Sequence, residues 1–142
     1  MTIAAILAGR DWEVVTVEAG TLVSDAVRLL ADKRIGAVPV MDGGRVVGIL
    51  SERDVIYHLR SDGSAMLDFP VEKVMTAPAI TINRGLTVLA ALAMMTKRRI
   101  RHLPVVEGER LVGLVSIGDL VKRRIDGIEQ EAAAMREYIQ GA

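Results

Sequence analysis

I-G-A-V-P-V-M-D-G-G-R-V-V-G-I-L-S-E-R-D (Ile35 to Asp54) returns 65 residues later as I-R-H-L-P-V-V-E-G-E-R-L-V-G-L-V-S-I-G-D (Ile100 to Asp119), with no insertion or deletion. Matching prolines (Pro39, Pro104), turn glycines (Gly43, Gly108) and polar pairs (Ser51 with Asp54, Ser116 with Asp119) mark an internal duplication over residues 14–57 and their partners. Inside each copy two β-rich runs meet at a tight turn: Ala37 to Met41 and Arg45 to Leu50 across Asp42-Gly43-Gly44, then His102 to Val106 and Arg110 to Val115. Upstream, Val14 to Val17 and Ala79 to Ile82 read as short strands, each followed by an amphipathic helix. The first helix opens at Gly20-Thr21, carries Leu22, Ala26, Leu29 and Leu30 on one face and closes at Lys33 and Arg34; the second runs from Leu86 to about Arg98. Ser51 and Ser116 each open a further helix. The unit is therefore β-α-β-β-α, and it occurs twice.

In a chain of 142 residues each half alone is near the lower limit for an adequate core. The two units are expected to pack as one module about a pseudo-two-fold axis, an α/β fold with short lead-in helices at Ile3 to Leu7 and Val71 to Met75. The expected organisation is a first unit with its lead-in helix at 1–62, a linker at 63–70 within S-D-G-S-A-M-L-D-F-P, a second unit at 71–125, and an extension of the C-terminal helix at 126–142. Along that extended helix Val121, Ile125, Ile128, Ala132, Met135 and Ile139 keep a/d spacing, although Gly127 costs about 1 kcal/mol of propensity. The stripe packs either along its own domain or on a second subunit, and the projecting length favours a homodimer.

Formal net charge is zero, so neither nucleic acid nor an anionic membrane is an expected partner. The absence of cysteine excludes disulfides, thiolate catalysis and cysteine metal sites, and His58 and His102 alone cannot build a multi-histidine centre. The opening M-T-I-A-A-I-L-A-G-R-D lacks a basic n-region, and no apolar run reaches membrane-spanning length. The expectation is a soluble, cytoplasmic protein. No Walker loop, Rossmann fingerprint, metal cluster or nucleophile with a base is present, so no catalytic residue, metal or catalytic cofactor is assigned and the chain is not expected to be an enzyme.

The local pattern richest in chemistry is glycine, two apolar residues, serine, two variable residues and aspartate: Gly48 to Asp54 and Gly113 to Asp119. A serine at a helix mouth, with free backbone N–H groups behind it, suits an anion such as phosphate. One turn on, a carboxylate accepts two hydrogen bonds from a vicinal diol, as acidic residues do with ribose. The same S-x-x-D is also a capping box that merely satisfies the helix's own N–H groups. Duplication does not separate the two readings, since a duplicated cap looks the same.

I-G-A-V-P-V followed by G-I-L-S-E-R-D, and I-R-H-L-P-V followed by G-L-V-S-I-G-D, resemble a tandem pair of CBS domains, or Bateman module, from about Ile3 to Lys122. The resemblance implies a regulatory, signal-transducing module that binds an adenosine nucleotide (AMP, ADP, ATP, NAD or S-adenosylmethionine) between the two units, commonly as a dimer. It implies one cleft built on Ser116 for phosphate and Asp119 for ribose beside Leu114 and Ile117, with Thr16, Thr21, Ile35 and Gly36 around adenine and Arg101 and His102 facing phosphates. It implies a second built on Ser51, Asp54, Ile49 and Arg53, closed by Thr81, Ile100 and Ala37. Where the family often has a hydroxyl residue before the aspartate this chain has Arg53 and Gly118, so the clefts are not expected to be equivalent; Arg53 either grips a longer phosphate chain or obstructs its cleft.

Arg98 and Arg99 read as a solvated helix end complementing its dipole, and His58 as a surface residue. Met94 and Met95 read as core filler, and Trp12 as packing over the lead-in helix. The main alternative to a nucleotide sensor acting on an unknown client protein is a structural or dimerisation module with vestigial clefts.

Overall fold

The computed structural model describes residues 1–10 and 13–141; Trp12 lies outside the described residues. Strands β1 (Val17–Glu18), β2 (Ala37–Asp42) and β3 (Arg45–Ser51) form one sheet in that order, β1 parallel and β3 antiparallel to β2. Strands β4 (His102–Glu107) and β5 (Arg110–Ser116) form an antiparallel pair. Registers repeat with the sequence: Ala37 faces Ser51 and His102 faces Ser116, and each ladder shifts at the same place, Val40/Met41 and Val105/Val106.

The strands expected over Val14 to Val17 and Ala79 to Ile82 are cut back, to Val17–Glu18 and to a single parallel bridge from Ile82 to Val105. Proline accounts for this. The Ile82 N–H donates to the Pro104 carbonyl at 3.0 Å, and the Val106 N–H donates to the Ile82 carbonyl at 2.8 Å. The next rung upstream would need an N–H from Pro104, which has none; Pro39 holds the same place in the first copy.

Helices α2 (Val23–Lys33) and α4 (Val88–Arg98) cover these strands with Val23, Ala26 and Leu30, and with Val88, Ala91 and Met95. The buried face thus begins at Val23; Leu22 precedes the helix and is exposed. Helices α3 (Glu52–Asp62) and α5 (Ile117–Gly141) follow β3 and β5. Both α2 and α4 end on an arginine in the left-handed region, Arg34 at φ 53° and Arg99 at φ 55°, a place glycine usually takes.

Two hydrophobic cores result, and each lead-in segment serves the unit that does not follow it. Helix α1 (Ile3–Ala8) inserts Ile3 among Val88, Met95, Leu103, Val105 and Leu120 of the second unit, and its Ile3 N–H donates to the Leu86 carbonyl at 2.9 Å. The 3₁₀ turn Val71–Lys73 places Val71 in the first core with Val23, Val38 and Leu50, and its Val71 N–H donates to the Thr21 carbonyl at 2.8 Å. Chain order therefore misplaces the lead-in helix grouped with the first unit. The stretch read as a linker is also packed: Gly63–Asp68 is a 3₁₀ helix whose Met66 is fully buried in the first core, because the polar turn residues flank an apolar Met66, Leu67 and Phe69.

Glycine permits the lead-ins to lie on the strands. A Cβ at Gly48 would come within 2.5 Å of Met75 Sδ and 2.8 Å of the Thr76 carbonyl oxygen, and one at Gly113 within 2.6 Å of Leu7 Cδ2. Strands β3 and β5 touch near the pseudo-axis. Past the second unit, α5 leaves its apolar stripe in solvent, with Ile125 50%, Ile128 48%, Met135 60% and Ile139 66% exposed. Among the described residues no helix is long and apolar enough to cross a membrane.

Candidate functional site

Each S-x-x-D closes on itself in the same way. The Ser51 N–H and hydroxyl donate to Asp54 Oδ2 at 2.9 and 3.0 Å, and the Asp54 N–H returns to Ser51 Oγ at 3.3 Å. The corresponding distances at Ser116 and Asp119 are 2.8, 2.9 and 3.2 Å. Both are genuine capping boxes, so the capping reading is correct as far as it goes. What distinguishes them is the third partner. Thr76 lies over β3, exchanging backbone hydrogen bonds with Ile49 at 3.0 and 2.9 Å while its hydroxyl donates to Asp54 Oδ1 at 2.8 Å. Over β5 the Arg10 guanidinium instead donates to the Leu114 carbonyl at 2.7 Å and pairs with Asp119 Oδ2 at 2.6 Å.

A cavity of about 250 Å³ opens in front of Ser51 and Asp54. Its apolar wall is Ile49, Pro78, Ala79, Ile80 and Ile100; its polar rim is Glu52, Arg53, Arg99, Arg101 and His102. Arg53 lines the cavity and donates from its guanidinium to the Arg99 carbonyl at 3.2 Å.

Of the sequence-predicted residues, Gly36, Ile49, Ser51, Arg53, Asp54, Ile100, Arg101 and His102 line this cavity. Gly36, Arg101 and His102 were expected at the Ser116 cleft. They line the Ser51 cavity because the entrances to β2 and β4 lie side by side: a Cβ at Gly36 would come within 3.5 Å of His102 Cε1 and 2.6 Å of Glu52 Oε1. Thr81 and Ala37 do not close the cavity. Alternation along the extended chain turns Thr81 to solvent between the lining Ile80 and the buried Ile82, and Ala37 is buried opposite Ser51. Ile35 packs on the first core, Thr21 uses its carbonyl to hold Val71, Thr16 is half-buried beside β1, and Ile117 is the exposed first residue of α5.

Sequence reasoning missed Glu52, Thr76, Pro78, Ala79, Ile80 and Arg99 as lining residues, and Arg10 at the other cleft. The signal for Arg10 is a loss of register: Ile3 answers to Val71, an offset three residues longer than that of the main repeat, so extra chain lies between α1 and β1.

Charge is arranged unevenly. Burial, the largest effect, lowers the His102 pKa; the Asp119 and Glu52 carboxylates oppose it and Arg101 reinforces it. For Asp119, burial alone would raise the pKa, yet hydrogen bonds from the Ser116 backbone, Arg10 and the Ser116 hydroxyl, with the charge of Arg10, outweigh it and hold the carboxyl below its ordinary value. Among the described residues no cluster of metal ligands occurs.

The CBS domain family model matches residues 10–61 and 71–126, both halves of the duplication. This chain belongs to the CBS domain family. It is 36% identical to the CBS-domain containing protein ATU1752 from Agrobacterium tumefaciens, with a TM-score of 0.83 over 87% of this chain and 99% of that one. It is 34% identical over 124 residues to the CBS domain-containing protein CBSX3, mitochondrial, of Arabidopsis thaliana, covering 84% of this chain and 60% of the relative's length. The CBS domain pair of protein MJ0100, solved with 5′-methylthioadenosine and S-adenosyl-L-methionine, is 26% identical with a TM-score of 0.77, over 89% of this chain and 97% of that one.

Proposed function

We propose that this CBS pair is a regulatory module that senses an adenosine nucleotide in the Ser51–Asp54 cavity and passes its occupancy to a client protein through a change in geometry. The observation that carries the reading is the acceptor state of Asp54. Oδ2 accepts both Ser51 donors, and among the described residues Oδ1 accepts only the rotatable Thr76 hydroxyl. An ionised carboxylate offers about four acceptor positions, so one is open on Oδ1 and a second opens when Thr76 rotates, which suits a ribose diol. The Ile49, Ile80 and Ile100 wall suits the flat base, and Arg53, Arg99 and Arg101 at the rim suit phosphate. The adenosine ligands of MJ0100 support the same chemistry in a homologous pair.

A thermal-shift series of AMP, ADP, ATP, NAD, S-adenosylmethionine and GTP tests this. An adenosine ligand at 100 times its Kd should stabilise the fold by about 2.7 kcal/mol, and Asp54→Ala should abolish the shift. If none of them moves the midpoint, the module is structural. A second copy of the chain covering the α5 stripe is the proposed assembly, supported by the exposure of Ile125, Ile128, Met135 and Ile139. Sedimentation should then show a dimer that Ile125→Glu with Ile128→Glu converts to monomer.

A further inference from the structure

The two clefts face the solvent with the same serine and aspartate, yet a side chain of the protein already sits on one of them. Arg10 is only 15% exposed, and its two Nη atoms reach different targets: Nη1 donates to the Leu114 carbonyl and Nη2 pairs with Asp119 Oδ2. Leu114 and Asp119 are the counterparts, by the 65-residue repeat, of Ile49 and Asp54. At the first cleft those two groups are met by the backbone and hydroxyl of Thr76. At the second, one guanidinium meets the Leu114 carbonyl and the carboxylate of Asp119, through Oδ2 rather than Oδ1.

The chemical consequence lies in the carboxylate. Oδ2 of Asp119 accepts from the Ser116 N–H, the Ser116 hydroxyl and Arg10, and the charge that would attract a diol is neutralised by a cation on the same chain. A hydroxyl of Thr76 swings aside by rotation about one bond. A guanidinium bonded at both ends must break an ion pair and a hydrogen bond together before a sugar can replace it. We infer that Arg10 is a tethered occupant of the Ser116–Asp119 cleft, holding and neutralising the carboxylate that the ribose hydroxyls of a ligand would need, and that it limits each chain to one nucleotide. The extra chain between α1 and β1 supplies the reach, and the anchoring of α1 in the second core fixes where the reach begins.

This rests on the reading of the Ser51–Asp54 cavity as the nucleotide site, so the test has one arm that uses nucleotide and one that does not. In the first, isothermal titration of the full chain with the adenosine ligand giving the largest thermal shift measures equivalents bound. Wild type should take one per chain, lost in Asp54→Asn; Arg10→Ala should take two, the second lost in Arg10→Ala with Asp119→Asn. Two equivalents in wild type, or one in Arg10→Ala, overturns the inference. In the second arm, carboxyl-carbon NMR follows the Asp119 titration, with His102, Ser116 and Arg10 the groups around it. Arg10→Ala should raise its midpoint toward the ordinary carboxylate value, and an unchanged midpoint overturns the ion pair in solution. If no nucleotide binds either protein, the sensor reading fails and this second arm alone decides whether Arg10 holds the cleft.

Discussion

Two capping boxes with internal distances equal to within 0.1 Å, at Ser51–Asp54 and at Ser116–Asp119, come to different ends. One faces a cavity with a threonine hydroxyl at its edge, the other a guanidinium paired with its carboxylate. The difference comes from neither box. It comes from the lead-in segment crossing each strand, and therefore from chain remote in sequence. A motif thus reports its own local geometry well, and its availability to a ligand poorly.

The sharpest way to break the comparison is at the crossing itself. Gly48→Ala drives a Cβ against the Thr76 backbone carbonyl, which cannot move aside, so a loss of about 2–3 kcal/mol is expected; Gly113→Ala meets only the Leu7 side chain and should cost about 1 kcal/mol. Urea unfolding of the pair measures the gap, and equal losses would mean the crossings are equally soft.

Next in size are the aspartates. Each substitution to alanine removes a cap worth about 1 kcal/mol, and Asp119→Ala should exceed Asp54→Ala because it also removes the ion pair with a largely buried Arg10. Asp119 also sets a pH dependence. Asp119 titrates lower in the folded chain than unfolded, so the unfolded state binds the proton first; the stability from Asp119 is complete above the ordinary carboxylate pKa and is lost as pH falls through the depressed folded value. Asp119→Asn should flatten that acid limb of a melting-temperature profile. A limb that persists in the mutant would assign it to other groups.

Smaller effects are expected where the repeats match. Arg34→Gly and Arg99→Gly each relieve a left-handed residue and should raise stability by about 0.5–1 kcal/mol, while Arg99→Gly alone should weaken the nucleotide binding proposed for the cavity that Arg99 lines. Smallest is Thr76→Val. Losing an exposed hydroxyl contact should cost less than about 0.5 kcal/mol in unfolding experiments, far below the penalty for removing the Asp119 carboxylate.

The amino-acid sequence by itself determined the duplication, the β-α-β-β-α order, the hairpins at Asp42-Gly43-Gly44 and the caps at Ser51 and Ser116. All of these depend on contacts within a few residues, or on a pattern that repeats along one chain. Hydrophobic periodicity located α2 and α4, and the D-G turn set a hairpin whose register the structure repeats. Proline was visible in the sequence, but its effect on a neighbouring strand follows only from knowing which side of β4 its missing N–H faces.

Tertiary structure alone decided which lead-in serves which core, that the segment around Met66 is packed, and that Arg101 and His102 belong to the Ser51 cavity. It also set Arg10 on Asp119, across 109 positions of sequence. The physical reason is that burial of apolar surface is not directional. Ile3 is satisfied in any core it can reach, so chain order does not choose between the two, and the loop length left over after that choice is what delivers a charged side chain to one cleft rather than the other.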